Sequence, residues 1–422
     1  MAKKIFYGWW VVAAMFPIGL YVSGIVFYGF TAFFEPLVKE YGWSYTQVSF
    51  AVSLRGLEGG IFAPFVGLLI DRLGSRKLVL SGTIVTGLGL ILLSLTRSLP
   101  MFYGAIFLLA LGAGGCMGLV GTTAVANWFD KNLGKALGVM SSAFGAAGLI
   151  LPLIVWLIDA FGWRTALVIL GVGLWTLGIP LSFVIRNKPK QSLPTEDGGL
   201  PDNHPIPPQA IQTNKVELTL RGALRNRSFI YLIIAEAIRN SAVSAVVLHV
   251  MPYLSHVGIP RQTAGLIAGA LSLSSIGGRF GFGWAADAFE NKYVMATAYF
   301  FMAIGLVAFC YVHVKWMMFL FLLFFPLGFG GIMVLRGSII KSYFGTGSFG
   351  AMLGIVMGSA SVGSVIGPTL AGRVFDTLGN YRFAWVVLIG LLVLAIIMVL
   401  NMKKPTGTSG YSEGGQRNGG LV

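Results

Sequence analysis

Gly67-Leu-Leu-Ile-Asp71-Arg72-Leu-Gly74-Ser-Arg76-Lys77 is a short polar break between two long apolar runs. A weaker copy, Gly283-Trp-Ala-Ala-Asp287, lies 216 positions further on (283 − 67) and also closes an apolar run. The same offset relates Gly42 to Gly258 and Pro152 to Pro368. Asp159-Ala-Phe-Gly162-Trp-Arg164 returns as Asp376-Thr-Leu-Gly379-Asn-Tyr-Arg382, with one residue inserted before the arginine. Several independent landmarks at one offset indicate a duplicated chain. In duplicated membrane proteins a binding site lies where the halves meet, near the bilayer midplane, and function requires one half to rock against the other.

Outward from this break, about twelve apolar stretches appear, each near the roughly twenty residues that span a bilayer. They fall at 8–36, 45–70, 78–97, 100–128, 135–160, 164–187, 228–255, 262–286, 293–313, 316–344, 350–376 and 382–402. The 422 residues are 56% hydrophobic and 11% charged, against about 25% charged in a soluble domain. Backbone groups in lipid must be satisfied within their own segment, so these runs read as helices. The 58 glycines suit close helix–helix approach. The expected fold is all-α, a polytopic membrane protein with twelve transmembrane helices in two pseudo-symmetric six-helix bundles. The expected domains are an N-terminal bundle (1–187), a Pro-rich cytoplasmic linker (188–227), a C-terminal bundle (228–402) and a disordered tail (403–422). A short amphipathic helix is expected in the linker near Lys215 to Arg225.

The formal charge of +15 invites a nucleic-acid reading. The basic residues nevertheless collect in alternate loops, among them Lys3, Lys4, Arg72, Arg76, Lys77, Lys131, Lys135, Arg186, Arg221, Arg225, Arg227, Lys341, Lys403 and Lys404. That is the positive-inside pattern, which predicts a multi-pass protein of the cell (inner) membrane with both termini cytoplasmic and no nucleic-acid partner. Lys3 and Lys4 precede a run of full membrane length, so the first helix reads as retained rather than cleaved. Cys116 and Cys310 fall in different apolar segments and suggest neither a disulfide nor a metal site. No phosphate-binding loop, metal-ligand spacing or enzyme constellation is present, so no cofactor and no enzymatic activity are expected and transport must draw on gradients.

Four arginines lie within apolar runs: Arg55, Arg239, Arg279 and Arg336. A charged side chain at that depth costs roughly 2.5–3.5 kcal/mol even on insertion scales. Two acids, Glu58 and Glu236, share the depth. The interior therefore carries excess positive charge, and its natural partner is an anion. Glu236 and Arg239 are three apart on one helix and can share a face. They form either a structural pair or part of a proton-coupling element in which Glu236 pairs with Arg279 in the empty site and takes a proton when substrate arrives. Arg55 and Glu58 repeat the spacing and read more simply as structural, though Glu58 is kept as a proton-coupling candidate. Arg336 lies toward the cytoplasmic end of its helix and reads as a gate or structural residue. His249 is either a satisfied core residue or one that bonds a substrate hydroxyl or relays a proton. Tyr28, Asn240 and Ser275 are further polar candidates for substrate binding.

The opening motif fits the pattern GxxxDRxGxR[RK] in full, and with it the chain resembles the major facilitator superfamily. The resemblance implies a cytoplasmic gate at Gly67, Asp71, Arg72, Gly74 and Arg76, with Asp287 and Lys292 in the degenerate second copy. Phe6-Tyr7-Gly8-Trp9-Trp10, Asn127-Trp128-Phe129, Ala136-Leu137-Gly138, Gly162-Trp163-Arg164 and Ser275-Ile-Gly-Gly-Arg279 look like the monocarboxylate porter family and its bacterial relatives, including the oxalate:formate antiporters. That resemblance carries over Arg279, near the cavity centre, as the carboxylate anchor. It also meets departures. The family's first-helix Lys and eighth-helix Asp positions hold Tyr28 and Ser275, and Gly354 to Ala371 lacks the antiporters' eleventh-helix Lys.

The resulting expectation is a secondary transporter, working as a monomer by alternating access, that carries small lactate- or pyruvate-like monocarboxylates with a proton. The alternatives are an organic-anion exchanger of the oxalate:formate type and, from another class, a hydrophobic-compound efflux pump. The missing Lys argues against the first and the excess arginine against the second.

Overall fold

The computed structural model describes residues 6–57, 66, 69–70, 72–129, 133–186, 220–345 and 349–404. Among them, nine helical stretches are long and apolar enough to cross a membrane. One of these, Lys135–Val184, is two spans divided at Gly162, whose φ is 78°. The eighth span, Arg261–Ala288, and the second, which begins as Tyr45–Ser53 and tightens into a 3₁₀ turn at Leu54–Leu57, complete the twelve. The expected linker helix falls at Leu220–Arg225. Glu58, Gly67, Asp71 and most of the linker and tail lie outside the described residues.

The sequence sets where spans begin and end. Gly42 and Gly258, one repeat apart, both turn with positive φ (65° and 85°), as do Gly162 and Gly379 (78° and 67°). A Cβ in that region costs roughly 1–2 kcal/mol, so glycine closes these helices. Ser44 and Gln47 form a reciprocal capping box at the start of the second span. Ser98 caps the fourth span and Asn226 the seventh.

Several family motifs prove architectural. Phe6 and Trp9 pack edge-on against Phe129, and the Tyr7 hydroxyl donates to the Val184 carbonyl at 2.7 Å. The Trp163 indole donates to Glu40 at 2.6 Å, and Arg164 pairs with the same carboxylate. These contacts tie the first span to the fourth and sixth within one half.

The halves meet along two seams. In one, the fifth span lies against the eighth; in the other, the eleventh lies against the second. Both seams are close enough that a Cβ on glycine would overlap its neighbour. Gly148 faces the Gly269 carbonyl and Ser272, and Gly56 faces the Ser364 hydroxyl. Gly148 and Ser364 are 216 apart, as are Gly56 and Ser272. One seam thus places Gly opposite Ser, and its copy places Ser opposite Gly.

Polar contacts across the seams run from the face opposite the chain ends, called here the far face, to mid-membrane. Asp376 binds the start of the second span, and Arg261 binds the ends of the first and fifth. Deeper, Ser272 donates to the Phe144 and Gly145 carbonyls at 3.1 and 3.0 Å. The far face is therefore closed, and the cavity described next lies on the other side of this closure.

Candidate functional site

A cavity of about 280 Å³ lies between the halves. Its polar wall comprises Tyr28, Arg55, Arg239, Asn240 and Arg336; its apolar wall includes Phe27, Phe144, Val243, Phe329, Met333 and Met357. The first span reaches it through a π-helical segment, Ser23–Tyr28, that ends on the two lining aromatics. Such widened turns break the regular helical register and recur at functional sites.

The chemistry centres on Glu236, which has no solvent exposure. One carboxylate oxygen is 3.2 Å from Arg239 Nη2, 3.0 Å from Arg336 Nε and 2.8 Å from Arg336 Nη2. The other accepts from the Tyr299 hydroxyl at 3.4 Å. Two guanidinium groups thus share one carboxylate, leaving a net positive wall. Arg239 is nearly fully buried and its Nε has no hydrogen-bond partner. Asn240 accepts from Arg239 at 3.3 Å and donates to the Ala360 carbonyl at 2.6 Å, which fixes its amide against the eleventh span. On the N-terminal side, Arg55 lies over the Phe27 and Phe30 rings at 5.6 and 5.3 Å and donates to the Val52 carbonyl.

The residues expected from sequence divide by position. Tyr28, Arg239 and Asn240 share the cavity, and Glu236 stands behind its wall. Arg279 does not line the cavity. Its Nη1 donates to the Ser141 carbonyl at 2.6 Å across the fifth–eighth seam, while Nε and Nη2 are buried without partners. Ser275 turns its hydroxyl to the Ser272 carbonyl of its own helix, and its backbone packs on Gly330. His249 is fully buried nearer the far face. Its Nε2 lies 3.0 Å from both Ser49 Oγ and the Pro368 carbonyl, and its Nδ1 lies 3.1 Å from the Tyr381 hydroxyl. Of the described residues expected from sequence to form a gate, Arg72 is exposed, Gly74 turns with φ 77°, Arg76 lies over the Phe183 ring, Asp287 is exposed and Lys292 lies over Tyr293.

Sequence reasoning offered Arg279 as the partner of Glu236, whereas the structure gives it Arg336. A signal for it existed. Glu236 lies nine residues from the start of the seventh span and Arg336 eight from the end of the tenth. At 1.5 Å per residue these are about 14 and about 12 Å from the same face, so matched depth could have paired them.

The chain matches the family model described as Major Facilitator Superfamily over residues 16–255 and again over 237–418. It is 25% identical over 385 residues to monocarboxylate transporter 13 of Bos taurus, covering 90% of this chain and 86% of that one. It is 26% identical over 406 residues to monocarboxylate transporter 12 of Homo sapiens (90% and 77% covered). With an uncharacterized MFS-type transporter of Bacillus subtilis (strain 168) it shares 25% over 402 residues (90% and 92%). Among solved structures it resembles a bacterial homolog of the human lysosomal transporter Spinster, inward-facing and unoccupied, with a TM-score of 0.72, 14% identity and coverage of 94% and 97%. The nucleoside transporter NupG gives a TM-score of 0.70 at 12% identity, covering 92% and 99%. Twelve spans in two related halves, a cavity between them and a family match along nearly the whole length lead to one assignment: this chain is a multi-pass membrane transporter of the Major Facilitator Superfamily, not an enzyme.

Proposed function

We propose that the protein carries small monocarboxylates, of the lactate or pyruvate kind, together with a proton across the cell membrane by alternating access, as a monomer with both termini cytoplasmic. The observation that carries this reading is the Arg239–Glu236–Arg336 cluster in the cavity wall. A substrate carboxylate takes the place of Glu236 on Arg336 and Arg239, and Asn240 and Tyr28 supply further hydrogen bonds. Glu236, displaced from its cations, takes up the proton. Cavity charge is then the same before and after loading, which suits a site that must close without an unpaired charge. The names of the mammalian relatives support a monocarboxylate substrate. On the cytoplasmic side, Gly67, Asp71, Arg72, Gly74 and Arg76, with Asp287 and Lys292, form the gate in this reading.

A second reading keeps Arg279 as the carboxylate anchor. It is favoured by two buried N–H groups of Arg279 that have no partner, because an unsatisfied buried donor is costly and marks a place for a ligand. Uptake of radiolabelled lactate into proteoliposomes under an inward proton gradient separates the two. Arg336→Gln should cut uptake about tenfold or more if the cluster is the dock, in line with loss of a hydrogen bond to a charged group. Full uptake by Arg336→Gln with loss by Arg279→Gln would transfer the anchor to the eighth span. Unchanged uptake in both would remove both anchors, and absence of lactate uptake by the unmutated protein would end the carboxylate proposal.

A further inference from the structure

The far-face contacts repeat with the sequence. Asp376, near the end of the eleventh span, sets its carboxylate on the first turn of the second. It accepts from the backbone N–H groups of Tyr45 and Thr46 at 2.9 and 2.8 Å and from the Thr46 hydroxyl at 2.5 Å. Asp159 is its counterpart near the end of the fifth span. Its Oδ1 lies 3.1 Å from Nε of Arg261, the first residue of the eighth span, as an ion pair off the axis of a hydrogen bond. Tyr45 and Arg261 are themselves 216 apart. Arg261 is held further by Glu35 at 3.8 Å and by the Ala32 carbonyl, which accepts from its Nη2 at 2.7 Å. Each half therefore lends one aspartate to the start of a helix in the other half.

Helix capping alone does not account for this. The second span already has its own cap in the Ser44–Gln47 box. Asp376 adds charge-assisted bonds at the positive end of that helix, but it brings them from the opposite half. A contact of this kind is made when the far face is shut and is lost when it opens.

We propose that Asp376 and Asp159 are the two arms of a pseudo-twofold latch that holds the far face closed, with the start of the second span and Arg261 as its catches. The two arms differ in their electrostatics. The Asp376 arm grips backbone dipoles and a hydroxyl. The Asp159 arm joins an ion cluster in which Arg261 serves two acids, each side chain a quarter to a third or so exposed. The second arm is therefore the more sensitive to salt.

Distance measurements between spin labels test the latch without reference to substrate. The labels go on Arg97→Cys and Val314→Cys, exposed far-face positions of opposite halves, in a background carrying Cys116→Ser and Cys310→Ser. The unmutated latch should give the short distance. Asp376→Asn should shift the closed-to-open ratio about tenfold, since hydrogen bonds to a charged group are worth at least that. Asp159→Asn, which breaks a part-exposed ion pair, should shift it about threefold, and both together about thirtyfold, since distant sites add. If the double variant does not fold, Thr46→Val with Arg261→Gln removes the hydroxyl and guanidinium catches, leaves the backbone N–H groups of Tyr45 and Thr46 in place, and should lengthen the distance in the same direction to a smaller extent. An unchanged distribution in folded protein, with only the melting temperature lowered, would show that the aspartates are static caps and would overturn the proposal. The readout needs no carboxylate, so its failure and that of the substrate reading are separate.

Discussion

Glu236 is the only acid among the described residues that touches two arginines, and both arginines face the cavity. Removing its charge leaves two cations under-compensated. Breaking a buried pair typically costs about 3–5 kcal/mol. Glu236→Gln should therefore lower the melting temperature of the free protein and, by exposing both guanidinium groups to solute, bind carboxylates more tightly. Ligand-induced thermal shifts across a panel of organic acids measure this, and a smaller shift than in the unmutated protein would contradict it. The same variant should lose accumulation driven by a proton gradient while keeping counterflow of labelled for unlabelled substrate. Residues of this kind were only half legible. The sequence shows that Arg239 and Glu236 are neighbours on one helix, because three positions make one turn. That Arg336 joins them from 100 positions away depends on which face of the tenth span turns inward. Spans that are apolar all round carry no stripe to reveal that face. The same gap let depth and the family resemblance put Arg279 in the cavity, whereas in the closed far-face state its guanidinium crosses a seam to Ser141.

Helix number and helix ends, unlike single side chains, were legible in the sequence; which helices meet across the halves was not. Lengths and ends followed from apolar runs and from glycines that turn with positive φ, and among the described residues the spans fall where those signals put them. The closeness of the seams was not written in any motif, because glycine is abundant throughout and only coordinates show which glycine meets a neighbour's backbone. Gly148 is such a case, since a side chain there would overlap the Gly269 carbonyl. Gly148→Leu should force the fifth and eighth spans apart at a cost of about 1–3 kcal/mol, as overpacking does. Gly104, in the fourth span, has open space where a Cβ would go. Gly104→Ala should leave stability unchanged or raise it by about 0.5–1 kcal/mol through better helix propensity. Melting curves in one detergent compare the two, and equal losses would remove the argument from close approach.

At the scale of the molecule, the proposed cycle moves one anion with one proton. Clamping the membrane potential with potassium and valinomycin should then leave lactate accumulation unaltered while collapse of the pH gradient abolishes accumulation. A clear dependence on voltage would mean that the loaded transporter carries net charge. The duplication behind the fold has a further consequence, visible in how its two seams are built. At one, glycine belongs to the fifth span and serine to the eighth; at the other, serine belongs to the eleventh and glycine to the second. The molecule thus already contains both solutions to a single packing problem. Transposing one pair, Gly148→Ser with Ser272→Gly, asks the chain to adopt at one junction what it tolerates at its twin; it removes the overlap with the Ser272 side chain but not that with the Gly269 carbonyl, and should be milder than Gly148→Ser alone.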